Sequence, residues 1–189
     1  MRIWKWIGGL TGFAALAGIA IGVLLGVPVA DHVDRYFSSQ AFCAESCHTM
    51  KATVAEEFKT SAHGTTSTGV IPQCRNCHVD EHLTGAYFTH VAGLNDLYAT
   101  VIKGIDTVEE FEPLRADLAN RVRMRMFNND SKNCRSCHIM EAIKPEKKRG
   151  QRQHKEAMVK DITCIVCHYD LVHKETPLSD EFDAIVGSY

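Results

Sequence analysis

Every one of the eight cysteines belongs to a pair that is closed at once by a histidine. The pairs are "CAESCH" at 43–48, "CRNCH" at 74–78, "CRSCH" at 134–138 and "CIVCH" at 164–168. Two thiols so spaced add covalently to the vinyl groups of a haem, and the adjacent imidazole reaches the iron from one side. A lone Cys-x-x-Cys-His has redox and zinc alternatives, and a disulfide scaffold needs no matching histidines. Three regular copies and one near-copy predict a multihaem c-type protein. Its four covalent haem c groups would hang from Cys43, Cys47, Cys74, Cys77, Cys134, Cys137, Cys164 and Cys167. The first motif encloses three residues rather than two. Positions i,i+3 and i,i+4 share one helix face, so double attachment survives, with the ring shifted relative to His48.

The motif histidines His48, His78, His138 and His168 are the first axial ligands this chemistry asks for, and a low-spin haem needs a second. His48 and His78 are 30 residues apart, as are His138 and His168; His63 lies 15 after His48 and His154 lies 16 after His138. The flanks "CHTM" and "CHIM" give Met50 and Met140 matching places. The chain therefore reads as two diheme units, at about 40–100 and 130–175. Matched position favours His63 and His154 as distal ligands, and His173, five after His168, is close enough to serve a neighbouring haem. His32 and His82 are expected to be solvated. Three distal histidines for four haems leave the first haem short, with Met50 and His48 both open as its iron ligand.

These groups need a support, and the N-terminus supplies the first element. Arg2 and Lys5 precede an uncharged run of 25 residues, Trp6 to Ala30. As a helix it is roughly 37 Å long, enough for a bilayer core of about 30 Å. "GVPVA" is a poor cleavage site because of Pro28, so residues 1–30 are expected to be an uncleaved signal anchor in the lipid bilayer. The leading charges place residues 31–189 outside the cytoplasm, on the periplasmic side of a bacterial inner membrane. Gly8, Gly12, Gly18, Gly22 and Gly26 form a small-residue stripe that permits a homo-oligomer. A formal net charge of −2 gives no reason to expect nucleic acid.

Beyond the anchor the pattern is helical. Val108, Phe111, Leu114, Leu118, Val122 and Met126 recur at helical spacing, Thr107 and Glu110 make a capping box, and Pro113 predicts a kink or restart. No strand alternation stands out. The expected fold is mainly α: one transmembrane helix plus short helices and loops that wrap haems rather than a large aliphatic core. The stretch 174–189 is expected to be a loosely held tail, and the basic run 144–155 a candidate docking face for an acidic partner or anionic headgroups.

With those motifs in order, "SAHGTTSTGV", "CRNCHVD", "GIDTVEEF", "NNDSKNCRSCH" and "CHYDLVHKETP" resemble the NapC/NirT/NrfH family of tetraheme quinol dehydrogenases. The resemblance implies a membrane cytochrome that takes electrons from the quinone/quinol pool and passes them to a periplasmic multihaem or molybdenum redox enzyme. It implies Met50 as the ligand of the first haem and Asp96 as the carboxylate covering its other face. It also places His90 where the family carries a lysine in its quinol pocket. Histidine titrates near neutral pH and can take a quinol proton; a distal haem ligand and a surface residue are the other roles open to His90. In ammonia-oxidising bacteria the family is thought to run in reverse, as a quinone reductase. A terminal reductase acting at the first haem and a passive relay without quinone chemistry are the competing readings.

Overall fold

The computed structural model describes residues 2–189, with side chains described for residue 9 and from residue 11 onward. Met1 and the side chains of Arg2, Lys5, Trp6 and Gly8, on which the orientation and part of the glycine stripe rest, lie outside the described residues. The first element, α1, is a helix over Arg2–Phe37. Its 36 residues reach roughly 54 Å, so its last turns extend past the apolar stretch. Phe13, Leu16, Ile19, Leu24 and Leu25 are all exposed on it, and among the described residues it alone is long and apolar enough to cross a membrane. A Cβ added at Gly12, Gly18, Gly22 or Gly26 would meet nothing within 4 Å, which leaves that stripe open. Pro28 sits inside the helix, as membrane helices tolerate.

The rest is a series of short helices: α2 (Gln40–Glu45), α3 (His48–Ala52), α4 (Val54–Thr60), α5 (Cys74–His78), α6 (Leu83–Lys103), α7 (Val108–Phe111), α8 (Arg115–Asn128), α9 (Lys132–Arg135), α10 (Lys148–Val159) and α11 (Asp180–Gly187), with 3₁₀ turns at Glu112–Leu114, Met140–Ala142 and Cys164–Val166. No strand occurs among the described residues, so the mainly α expectation holds. The buried apolar side chains described are Ala55, Val79, Ala86, Ile162, Ile165, Val166 and Phe182, a thin aliphatic core for 189 residues. Polar ties take up part of the load. Ser131 Oγ meets Thr163 Oγ1 at 2.6 Å in the interior, and two arginines, Arg115 and Arg123, are almost wholly buried.

The capping box at Thr107 and Glu110 is present, with the Thr107 hydroxyl accepting from the Glu110 N–H at 3.3 Å. Pro113 lies in the 3₁₀ turn that separates α7 from α8, so the helix restarts there as the proline requires. Thr107→Ala is expected to cost about 1 kcal/mol, read as a lower thermal midpoint at unchanged haem content. The C-terminal stretch departs from expectation. Residues 180–187 form α11, capped by Ser179, and Phe182 is completely buried with its ring 5.9 Å from Tyr169. One aromatic anchor and a cap hold a segment whose acidic composition suggested a free tail.

Candidate haem-binding site

The eight cysteines are all free thiols, and the four motifs touch in chain order. Between the first and second, Cys43 is pushed up to about 11 by burial and by Cys74 beside it, and the Cys74 N–H donates to Gln40 Oε1 at 2.9 Å. Between the second and third, Cys77 faces Cys137 and its thiol is raised by burial first. Asn133 Nδ2 donates to the carbonyls of Asn76 and Val79, at 3.1 and 2.7 Å. Between the third and fourth, Cys134 and Cys164 hydrogen-bond each other, and the Ile165 N–H donates to Ser131 Oγ at 3.1 Å. Among the described residues no set of three or more His, Cys, Asp and Glu donors converges as an ion site, so the zinc alternative finds no tetrahedral donor set.

Six histidines face one another in three pairs. The ring centroids lie 6.0 Å apart for His63 and His138, 6.2 Å for His78 and His173 and 6.1 Å for His154 and His168. Two imidazoles on opposite sides of one metal, each bonded at about 2.0 Å, put their centroids roughly 6.3 Å apart. The donor set therefore fits a bis-histidine haem at three motifs. Burial pushes the His63, His78, His168 and His173 imidazoles below their ordinary value. His78 falls to about 4, with His173 and Arg125 adding to the effect. Neutral imidazole is the form that binds metal.

Two of the pairs join opposite halves of the chain: His138 faces His63 from the first half, and His78 faces His173 from the second. His154 and His168 share a half. The 30-residue repeat is a property of the sequence, whereas the pairing interlocks its two copies.

Among the described residues His48 faces no other imidazole; it is 80% exposed, with Nδ1 3.7 Å from Asp106 Oδ2. Met50 is exposed on α3, the helix that His48 begins.

His90 and Asp96 share α6 but not a face. Six residues of helix turn about 120° from a common face and advance roughly 9 Å. His90 faces the end of α1, with Nδ1 3.4 Å from Asp34 Oδ1 and Nε2 3.2 Å from Ser38 Oγ. Asp34 is itself 12% exposed and lies 3.6 Å from Arg75. Both ring nitrogens of His90 thus face protein groups. Desolvation raises the Asp96 carboxyl, against Arg121 and Arg125 of α8, which pull it down. His32 and His82 are exposed.

Asp34, Glu57 and Asp106, which face histidines, carry no motif signal. Only the position of Asp34 just past the apolar span, in "DHVDRYF", marks it as a residue that the membrane boundary would place near the domain.

A family model described as the NapC/NirT cytochrome c family, N-terminal region, matches residues 8–178. Escherichia coli K12 cytochrome c-type protein TorC is 38% identical over 176 residues, 90% of this chain and 45% of TorC, so the chain spans less than half of that relative. A Nitrosomonas europaea protein named "Probable tetraheme cytochrome c-type" is 34% identical over 169 residues, covering 87% of this chain and 70% of its own. E. coli K12 cytochrome c-type protein NapC is 30% identical over 184 residues, covering 92% and 88%. No solved structure matches.

Proposed function

The chain belongs to the NapC/NirT cytochrome c family, and from that membership we propose a membrane-anchored tetrahaem cytochrome that exchanges electrons between the quinone pool and a periplasmic redox enzyme. The observation that supports it most is the unequal ligand set. Three motifs have imidazole pairs at 6.0–6.2 Å, while the first, nearest the end of the apolar helix, has none. In this reading Cys43 and Cys47 hold the first haem, with Met50 or His48 at its iron, and the three pairs serve the others.

Haem iron supplies one-electron oxidation and reduction when bound. What the chain must add is a place for two protons, because a quinol loses two electrons and two protons on becoming a quinone. Asp96 accepts one at a carboxyl that desolvation holds above the ordinary range. His90 takes the second at the end of α1, with Asp34 facing its Nδ1 and Ser38 its Nε2. The α1 anchor keeps His90 near the bilayer from which a quinol would arrive.

The test is direct. Full-length protein in detergent is mixed with a menaquinol or ubiquinol analogue and haem reduction is followed optically; the reduced protein is then mixed with quinone. Exchange in either direction supports the reading, and its rate in each direction assigns quinol oxidation or quinone reduction. No exchange with any quinone overturns it, and turnover of nitrite or hydroxylamine by the isolated chain would favour a terminal reductase. Asp96→Asn and His90→Gln are each expected to slow exchange by about 10²-fold at unchanged haem content.

A further inference from the structure

The three paired distal histidines have different surroundings at Nδ1. His154 Nδ1 lies 2.9 Å from the Gly150 carbonyl, a neutral backbone acceptor. His63 Nδ1 is buried without a hydrogen-bond partner. His173 Nδ1 is also buried without one, yet Glu57 Oε2 lies 3.5 Å from it. Glu57 comes from α4, 116 residues earlier in the chain, and is held firmly. Its Oε1 pairs with Arg115 Nη1 at 2.9 Å, and the guanidinium is only 7% exposed. Its Oε2 accepts from the Lys174 N–H at 3.0 Å. Arg115 is fixed in turn by Glu112 at 2.7 Å, and Glu112 also takes Lys174 Nζ at 3.1 Å.

We propose that Glu57 is a positioning residue that orients His173 and lowers the reduction potential of the haem this histidine ligates, with Arg115 moderating its strength. The inference rests on the assignment of His173 as a distal ligand made above. An imidazole bound through one nitrogen donates its other N–H to an outer acceptor, which fixes the ring and raises its basicity. A carboxylate is a stronger acceptor than a backbone carbonyl. A more basic imidazole favours ferric over ferrous iron, because the ferric state carries the extra positive charge. Of the three pairs, only His78–His173 has an anionic acceptor at this place, so Glu57 sets that haem apart from the other two.

Full-length Glu57→Gln protein, with its haem:protein ratio checked by pyridine haemochrome, is titrated by spectroelectrochemistry, and its low-spin ferric electron paramagnetic resonance signals are compared with wild type. One component is expected to move upward by about tenfold in its reduction equilibrium, or 59 mV for a single electron, with a changed low-spin signal and the other components in place. Arg115→Gln is expected to move the same component downward, since it frees the carboxylate from its cation. Opposite shifts are not what simple loosening of the fold would give. Unmoved components in a Glu57→Gln protein of normal haem content overturn the proposal. If that variant loses haem, an unmoved or upward component in Arg115→Gln overturns it. A wild-type protein without bis-imidazole signals sinks the ligand assignment itself, a different failure.

Discussion

In His173→Ala holoprotein one haem changes from low to high spin while all the haems stay attached. The thioether bonds depend on the Cys74 and Cys77 thiols, not on the distal side, so the haem:protein ratio is expected to equal that of wild type. His78 keeps the fifth position and no protein imidazole faces it from 6.2 Å any longer. Magnetic circular dichroism or electron paramagnetic resonance reads the change as loss of one bis-histidine component of three and gain of a high-spin one. Added imidazole is expected to restore the low-spin signal, because the site then lacks only a ligand and not its frame. His32→Ala and His82→Ala, at exposed histidines, should leave every component untouched. If His173→Ala keeps all three low-spin bis-histidine components, His173 is not an iron ligand.

Removal of Asp170 is expected to be the most damaging single change to stability outside the cofactor ligands. Arg123 is 4% exposed and gives Nη2 to Asp170 Oδ1 at 2.6 Å and to Thr176 Oγ1 at 2.8 Å, while Nη1 reaches Asn120 Oδ1 at 2.8 Å and the Pro177 carbonyl at 3.3 Å. Its guanidinium also sits 5.6 Å from the Tyr169 ring centroid. One buried cation thus gathers residues 169–177, the segment that carries His173 and follows His168. Asp170→Ala leaves that cation without its counter-charge, at a cost of about 3–5 kcal/mol. Chemical denaturation should show the loss as a lower midpoint. The partial release of His173 and His168 should appear as a fraction of high-spin haem that grows with denaturant before the main transition. Asp170→Glu, which keeps the charge, is expected to recover much of the loss.

What could be read in advance follows from how locally it is encoded. The haem motifs, the apolar span and the Thr107 cap are each written within a few residues, and the structure supports the mainly helical fold and the capped restart at Pro113. His63, His154 and His173 stand out in the sequence by type and spacing, and the structure sets each of them opposite another imidazole. Their partners were not legible, because a facing pair such as His63 and His138 is set by how the turn after α4 meets the stretch after α9, and no spacing rule encodes it. Glu57 escaped for the same reason: a carboxylate in an ordinary polar helix acquires its role only when residues from far along the chain arrive beside it. In the C-terminal stretch the charges mask Phe182, and a single buried aromatic side chain outweighs a solvated acidic face.

The crossed imidazole pairs bear on how such a chain is put together. A haem hung on Cys74 and Cys77 would find its facing ring only once residue 173, 95 positions after His78, is in place. The other two pairs need nothing further along, since His63 precedes His138 and His154 precedes His168. A chain cut between the halves would strand His78 and His138 without the rings that face them and leave only His154 and His168 together. The order in which the pairs become complete along the chain would accordingly differ from the order of the motifs, with the second motif's pair the last of the three.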